Sequence, residues 1–260
     1  MKIPFFKMSG AGNDFVLLNG LPKGRSGKAL ARRLCDRRLG IGADGLLVLT
    51  RRGKQTRLDY WNADGSAAFC GNGSRCAALY LSSQGWIKKR KFALKTSQGI
   101  LDVRITARGR AEVSMPEPGE PEHRPRLKAL GRTFSVYSID TGVPHVVSFV
   151  TDVSTIDVRT LGRALRYHRS LGKAGANVDF VSLRDGVLRL RTYERGIEDE
   201  TLACGTGVIA AAAVARCLGK AGDRVKVRVQ GGDILHVSFS GGRTRLEGPG
   251  EIVFQGEVNV

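Results

Sequence analysis

The stretch TLACGTGVIAAAAVARC, at Thr201–Cys217, decides the fold because it has a counterpart earlier in the chain. It consists of a cysteine, a Gly-Thr-Gly turn and a helix that carries a single charge, Arg216, so we expect the helix to be buried. The counterpart, FCGNGSRCAALYL at Phe69–Leu81, has the same order of cysteine, Gly-Asn-Gly turn and helix. The offset between Cys70 and Cys204 is 204 − 70 = 134 residues.

Similar offsets recur along the chain. Four further pairs of segments match in order, at offsets of 130 to 135 residues: GNDFVL with GVPHVV, GIGADGLLVL with AGANVDFVSL, TSQGILDVRI with VQGGDILHVSF, and the hairpins that reach Pro116 and Pro249. Asp44 aligns with Asp179 in the second of these pairs. One such match would mean little, because many α/β segments share glycine-bounded strands and alanine-rich helices. Five ordered pairs favour two copies of one supersecondary unit.

The pattern of elements within each copy predicts the fold class. Short strands bounded by glycine and turn residues are more frequent than helices. We therefore predict an α/β (α+β) protein with two pseudo-symmetric units, each a curved, mostly antiparallel sheet or barrel around a central helix. The helix that follows each paired cysteine is expected to fill the sheet. A further helix is expected through Ala29–Arg38, and the Pro- and Glu-rich segment Pro116–Pro125 is the predicted linker.

Composition restricts the class of protein. With 260 residues the chain is long enough for two hydrophobic cores, and its 42 basic against 24 acidic residues give a net charge of +18. These charges are spread along the chain and aromatic residues are few, which favours a small anionic substrate over nucleic acid. We find no segment of signal-peptide or membrane-spanning type, and five cysteines without a CxxC pair argue against disulfides and a zinc ribbon. We expect a cytoplasmic protein without membrane partners.

Only Cys70 and Cys204 are paired by the duplication. Each precedes a helix that begins with glycine, where backbone N–H groups can approach a ligand and negative charge is favoured. Such a position lowers the pKa of a thiol from about 8.5 into the range ~3.5–7.5. The remaining cysteines are expected to be small buried hydrophobic residues: Cys35, Cys76 and Cys217.

A twofold arrangement of the units would turn the two helix starts towards one substrate carboxylate. One thiolate could then remove an α-proton while the other thiol returns one to the opposite face, with inversion of configuration. The helix ends would stabilise the charge that develops on the carboxylate. No pyridoxal phosphate motif or GxGxxG sequence is evident, so we expect neither a cofactor nor a metal. A pair of phosphate-binding turns is the alternative interpretation of the same pattern.

Five segments carry a family resemblance: FFKMSGAGNDFVLLNG, GIGADGLLVL, WNADGSAAFCGNGSRCAA, TGVPHVV and YERGIEDETLACGTG. Over essentially the whole chain they resemble the signatures of diaminopimelate epimerase. The resemblance implies a PLP-independent isomerase that interconverts LL- and meso-diaminopimelate in lysine and peptidoglycan precursor biosynthesis. It also implies a homodimer whose chain has a cleft between two domains. The expected domains are 1–115, joined by a returning strand at 250–260, and 116–249.

The resemblance also implies roles for particular residues. Cys70 and Cys204 would be the acid/base thiols, while Glu194 and His145 would tune their pKa values, Glu194 also binding the α-ammonium group. Substrate binding is expected from the two helix starts and from polar residues elsewhere in the motifs: Gly71, Asn72, Gly205 and Thr206 for the reacting carboxylate, and Asn13, Asn62, Asn177 and Arg195 for the far end.

Each of the polar candidates has a plainer interpretation. Asn62 could serve only as a turn residue, His145 as a core or strand-end histidine, and Glu194 with Arg195 as a surface pair. The chain also departs from the family pattern at the far end of the substrate, at Ser9, Gly45 and Val143. By comparison with the family pattern, the departures remove two possible side-chain contacts to the far end of the substrate, whereas the thiol pair is unaffected.

Three other functions are compatible with parts of the sequence. Proline and hydroxyproline racemases share the two-cysteine plan, but they carry MCGHG where this chain has FCGNG. The charge would also suit a nucleic-acid-binding module. A redox protein that forms a disulfide between Cys70 and Cys204 is the third alternative.

Overall fold

The computed structural model of the chain describes residues 1–53 and 55–260. Within them the chain folds into two units: unit 1 is Met1–Ser114 with Glu247–Val260, and unit 2 is Met115–Leu246. The origin of the two units by duplication stays a prediction. In the described part of the chain, no helix is both long and apolar enough to cross a membrane.

Unit 1 contains a mixed sheet in which antiparallel pairing predominates. Its helices are α1 (Gly27–Leu34) and α2 (Gly71–Ser83), and its strands are β1 (Lys2–Gly10), β2 (Asn13–Asn19), β3 (Gly45–Arg52), β4 (Gln55–Asn62), β5 (Lys91–Thr96), β6 (Gly99–Ala107), β7 (Arg110–Met115) and β17 (Glu251–Asn259). Strand β1 pairs antiparallel with both β2 and β17. Strands β2 and β3 pair parallel, as do β4 and β5. The last strand of the chain is therefore paired with the first.

Unit 2 also has a mixed sheet with mostly antiparallel pairs. Its helices are α3 (Val158–Arg166) and α4 (Gly205–Cys217), and its strands are β8 (Glu122–Ala129), β9 (Arg132–Asp140), β10 (Pro144–Phe149), β11 (Asn177–Arg184), β12 (Val187–Glu194), β13 (Asp199–Thr201), β14 (Arg224–Arg228) and β15 (Ile234–Phe239). Strand β16 (Thr244–Pro249) leads the chain out of unit 2. The parallel pairs are β10 with β11 and β12 with β14.

Helices α2 and α4 are the central elements of their units. Helix α2 is buried from Gly71 to Leu81, and it packs against β1, β2, β3, β4, β6 and β17. Helix α4 is buried at 207–212 and packs against β9, β10, β11, β12, β14 and β15. A helix that is apolar on every side can be accommodated only where a sheet surrounds it. The predicted fold, a mostly antiparallel sheet around a central helix in each unit, is confirmed.

Two local predictions are wrong. Helix α1 ends at Leu34 rather than reaching Arg38, because Asp36 accepts backbone N–H bonds from both Arg38 and Leu39 at 2.7 Å and so forms a turn of its own. The segment expected to be a linker up to residue 125 is shorter, because β8 begins at Glu122. There it pairs with Ser138 of β9, and an irregularity in register follows further along the strand.

Candidate active site

Cys70 immediately precedes helix α2 of unit 1. Its backbone is extended, with φ −137° and ψ 113°, and its Sγ accepts a hydrogen bond from the backbone N–H of Gly73 at 3.3 Å. A cap of this kind satisfies one of the free N–H groups of the first helical turn. The half-buried thiol therefore lies at the positive end of the helix dipole, as the sequence predicts.

A series of side-chain hydrogen bonds extends from the start of α2. Asn72 donates from Nδ2 to Oδ1 of Asn13 at 2.5 Å, and Asn13 donates from Nδ2 to Oδ2 of Asp44 at 3.0 Å. Arg37 donates to Oδ1 of Asp44 at 2.7 Å. Because both ends of the Asn13 amide are engaged, its orientation is fixed. Within the described residues, the buried Oδ1 of Asn72 has no hydrogen-bond partner.

Asn62 is the last residue of β4, where the chain turns. The backbone N–H of Gly65 donates to the Asn62 carbonyl at 2.8 Å, and Gly65 has a φ of +83°, which favours glycine. The Asn62 side chain accepts from the Tyr60 hydroxyl and donates to Oγ of Ser66, both at 2.9 Å. The residue is thus part of the turn, and its contact with a substrate stays a prediction.

Cys204 immediately precedes helix α4 of unit 2 and is 6% exposed. Burial raises the pKa of its thiol well above the usual range, and the negative charges of Glu194 and Asp179 raise it further. The hydrogen bond with Thr206 and the nearby backbone N–H of Gly207 oppose this shift without reversing it. The predicted lowering of the thiol pKa is therefore wrong for Cys204, because lost hydration outweighs the effect of the helix end.

A buried pair of His145 and Asp179 lies next to the start of α4. Both side chains are 0% exposed, and Nδ1 of His145 lies 2.7 Å from Oδ2 of Asp179. The other ring nitrogen, Nε2, lies 3.0 Å from Oγ1 of Thr206, and that hydroxyl lies 3.4 Å from Sγ of Cys204. One hydroxyl group therefore separates the imidazole of His145 from the Cys204 thiol.

The remaining predicted residues of unit 2 lie at the ends of β11 and β12. Asn177 donates to Nε2 of His145 at 3.3 Å, and its Oδ1 accepts the backbone N–H of Arg195 at 2.7 Å. Glu194 accepts the hydroxyl of Thr201 at 2.8 Å, and its charge acts on the Cys204 thiol. Unit 2 thus gathers all seven of its predicted site residues around one helix start: Cys204, Gly205, Thr206, His145, Asn177, Glu194 and Arg195.

Comparison with known proteins places the chain in a family. The model of the diaminopimelate epimerase family matches residues 5–121 and 137–251. A diaminopimelate epimerase of Methanocella arvoryzae is 39% identical over 275 residues, covering 100% of this chain and 98% of that protein. One from Archaeoglobus fulgidus is 37% identical over 273 residues, covering 98% of this chain and 96% of that protein. The chain belongs to the diaminopimelate epimerase family.

Solved structures with low sequence identity share the fold of this family member. A phenazine biosynthesis protein of the PhzF family from Bacillus anthracis matches with a TM-score of 0.78 and 14% identity, and it covers 100% of both chains. A probable proline racemase from Agrobacterium radiobacter matches with a TM-score of 0.72 and 18% identity over 99% of this chain and 93% of that one. At these identities the likeness concerns the fold alone.

The structure of this diaminopimelate epimerase family member also shows polar residues that the sequence analysis did not include among the site residues. Asp44 contacts Asn13, Asp179 contacts His145, and Thr192 donates to Oδ1 of Asp179 at 2.7 Å. The alignment of Asp44 with Asp179 in the repeat was the signal that could have identified the two carboxylates.

The three cysteines without a counterpart in the sequence repeat differ in their surroundings. Cys35 and Cys76 are buried, as predicted, and burial raises the pKa of each thiol to about 12. The prediction is wrong for Cys217, which is exposed. It is the last residue of α4 and lines a surface cavity of about 690 Å³, so it lies beyond the buried part of the helix.

Proposed function

We propose that this protein interconverts LL- and meso-diaminopimelate without a cofactor, with Cys70 and Cys204 as its two acid/base groups. The observation that carries the proposal is 39% identity over the full chain to a protein named diaminopimelate epimerase. The position of one cysteine directly before the central helix of each unit supports the assignment of the two thiols.

In the proposed reaction one thiolate removes the α-proton, so the C–H bond breaks and an S–H bond forms. The other thiol then delivers its proton to the opposite face of the same carbon, which inverts the configuration. Negative charge develops on the substrate carboxylate between these two transfers. Backbone N–H groups at the helix starts would stabilise that charge, from Gly71 and Asn72 in one unit and from Gly205 and Thr206 in the other.

The environment of Cys204 supports a role as the proton donor of the ligand-free protein. Since burial raises the pKa of Cys204 above its usual range, this thiol holds its proton at neutral pH. Cys70 would then act as the base in the first proton abstraction. Glu194 contributes to the raised pKa, and an α-ammonium group bound by Glu194 would offset its charge. The tuning role proposed for His145 is supported by its connection to Cys204 through Thr206.

We propose Asn13, Asn62, Asn177 and Arg195 as ligands of the far amino acid end of the substrate. The hydrogen bond between Asn177 and the backbone of Arg195 supports a joint role for these two residues. A guanidinium group can bind a carboxylate through two parallel hydrogen bonds. Ser9 and Val143 stand where a longer or more polar side chain would add contacts, so binding at this end is expected to be less strict. Gly45 has no room for a side chain here, because a Cβ atom would lie 2.4 Å from the Tyr60 ring.

The cellular setting follows from the same assignment. An enzyme of this activity supplies meso-diaminopimelate for lysine and peptidoglycan synthesis, and we propose that it works in the cytoplasm as a homodimer. Pyridoxal phosphate independence is part of the proposal, since the thiols and the helix ends supply the required chemistry. Proline racemase activity is the second candidate, favoured by the structural neighbour of that name, but the FCGNG sequence argues against it.

The proposal is tested by incubating the protein with LL-diaminopimelate and resolving the stereoisomers by chromatography, with no pyridoxal phosphate and with a chelator present. We expect meso-diaminopimelate to form with the wild-type protein, and a loss of about 100-fold or more in rate for Cys70→Ser and for Cys204→Ser. Cys217→Ser is the matched control, since this cysteine is exposed at the other end of α4, and it should retain the wild-type rate. Turnover of proline but not of diaminopimelate would favour the second candidate.

A further inference from the structure

Asp179 carries a fully buried carboxylate that takes no part in the two proton transfers to and from the substrate. Its Oδ2 lies 2.7 Å from Nδ1 of His145, and its Oδ1 accepts the Thr192 hydroxyl at 2.7 Å. Helix α4 approaches closely as well: a Cβ atom built on Gly207 would lie 2.6 Å from Oδ1 of Asp179. The carboxylate is therefore held from three sides, by β10, β12 and α4.

The neighbours of His145 determine which ring nitrogen carries the hydrogen. Oδ1 of Asn177 accepts a backbone N–H from Arg195, so the orientation of the Asn177 amide is fixed and its Nδ2 faces Nε2 of His145. An amide nitrogen only donates, so this contact of 3.3 Å favours Nε2 as an acceptor and the ring hydrogen on Nδ1. Asp179 is the acceptor that this hydrogen requires.

This tautomer aligns three hydrogen bonds in one direction. Nδ1–H of His145 donates to Asp179, and the Thr206 hydroxyl, which at 3.0 Å is closer to Nε2 than the Asn177 amide at 3.3 Å, can donate to the single lone pair of Nε2. The oxygen of Thr206 then has a free lone pair towards the Cys204 thiol, which can donate its S–H at 3.4 Å. The opposite tautomer would present Nε2–H to Thr206 and reverse the direction.

We propose that Asp179 is a positioning residue that keeps the hydrogen of His145 on Nδ1, so that Nε2 can receive, through Thr206, the proton released by Cys204. In this step the S–H bond breaks and an O–H bond forms at Thr206, whose own O–H proton passes to Nε2. The products are a thiolate and an imidazolium that is paired with the Asp179 carboxylate. The step returns in reverse, so no external acid or base is consumed. The inference rests on the proposed function, because the proton transfer to His145 supplies the thiolate form of Cys204 that the proposed reaction uses as a base.

The equivalent position in unit 1 shows what such a carboxylate does without a histidine. Asp44, the repeat counterpart of Asp179, binds Asn13, and Asn13 accepts from Asn72 of the α2 start. These side chains are amides, which orient one another but do not transfer protons at neutral pH. Proton transfer through a relay is thus a property of unit 2, and Asp44 provides the matched control.

The test uses nitrogen-15-labelled protein and long-range proton–nitrogen NMR of the histidine rings. The chain has four histidines, and His145→Gln identifies the signals that belong to His145. We expect the Nδ1–H tautomer in the wild-type protein. Finding the Nε2–H tautomer there would overturn the proposal before any variant of Asp179 is made, so the test does not depend on the folding of a variant.

Asp179→Leu removes the acceptor for Nδ1–H. We expect His145 to change to the Nε2–H tautomer and kcat to fall by about 100-fold or more in the direction in which Cys204 acts as the base, with little change in KM. Asp44→Asn should leave the tautomer of His145 as in the wild-type protein. An unchanged tautomer in Asp179→Leu would overturn the inference. A wild-type protein with the expected tautomer but no epimerase activity would instead refute the proposed function, so the two failures are distinguishable.

Discussion

Substitution of Gly207 by alanine tests how closely helix α4 packs on the buried carboxylate. The new Cβ would lie 2.6 Å from Oδ1 of Asp179 and 3.2 Å from Oγ1 of Thr192. The Asp179 carboxylate cannot move freely, because it is also hydrogen-bonded to His145 and its side chain is 0% exposed. The Thr192 hydroxyl is held by its own hydrogen bond to Asp179. Overpacking of this kind costs about 1–3 kcal/mol. The better helix propensity of alanine returns roughly 0.5–1 kcal/mol.

The net expected loss for Gly207→Ala therefore lies between roughly 0 and 2.5 kcal/mol of unfolding free energy, with the middle of the range at about 1 kcal/mol. For a protein of this size a loss of about 1 kcal/mol corresponds to a decrease in Tm of roughly 2–4 °C. Circular dichroism melting curves measure it. The His145 signals should also shift, since the hydrogen bond between Asp179 and the ring is displaced.

Two glycines serve as controls. Gly222→Ala introduces a Cβ with nothing within 4 Å and should change the unfolding free energy by less than about 0.5 kcal/mol. Gly73→Ala, at the repeat counterpart in α2, meets Cδ2 of Leu47 at 2.8 Å, a flexible methyl group that can move aside, so it should cost less than Gly207→Ala. If Gly207→Ala were as stable as Gly222→Ala, the packing argument for Asp179 would be refuted.

Three further results are expected. Thr206→Val, which keeps the shape but loses the hydroxyl, should lower kcat by about 100-fold, and Thr206→Ser should restore most of it; equal rates for the two variants would exclude a relay through this residue. Burial raises the pKa of the Cys35 thiol to about 12, so the folded protein keeps this proton up to a higher pH than the unfolded chain does. The free energy of unfolding therefore decreases as the pH rises from about 9 towards 12. Urea denaturation at several pH values should show that the free energy of unfolding of Cys35→Ala decreases less between about pH 9 and 12 than that of the wild-type protein. An equal decrease in the two proteins would contradict this. Burial works against ionisation of Asp14, but hydrogen bonds from Arg37 and Lys7 lower its pKa to about 2, so stability is lost as the pH falls from about 4 towards 2. Asp14→Asn should reduce that acid dependence, and a wild-type acid dependence in this variant would show that the pairing contributes nothing.

The central helices could be predicted from the sequence because their signals are local. A cysteine, a glycine turn and a predominantly apolar stretch determine where α2 and α4 begin and why they are buried. The repeat then distinguished Cys70 and Cys204 from the other cysteines. The exposure of Cys217 could not be predicted from the local sequence, since it depends on where the sheet around α4 ends.

The contacts of Asp179 could not be predicted because they depend on strand register. Asp179 and Thr192 are cross-strand partners in the pairing of β11 with β12, and a shift of one residue would separate them. The pKa of Cys204 was mispredicted for a related reason: the helix end is visible in the sequence, whereas the burial that dominates the pKa is a tertiary property. Arg75 is a third case. It lies fully buried within the apolar helix α2, and among the described residues its guanidinium has no hydrogen-bond partner.

The origin of the proton that arrives on the product tests the two-thiol reaction most directly. LL-diaminopimelate is incubated with the protein in D₂O, and the first few per cent of meso-diaminopimelate is analysed by mass spectrometry and NMR. Because the second thiol exchanges with solvent before it meets the substrate, we expect one deuterium at the inverted α-carbon of every product molecule. Early product that keeps the substrate's own hydrogen would mean that a single group removes and returns the proton, and the assignment of Cys70 and Cys204 to opposite faces would be wrong.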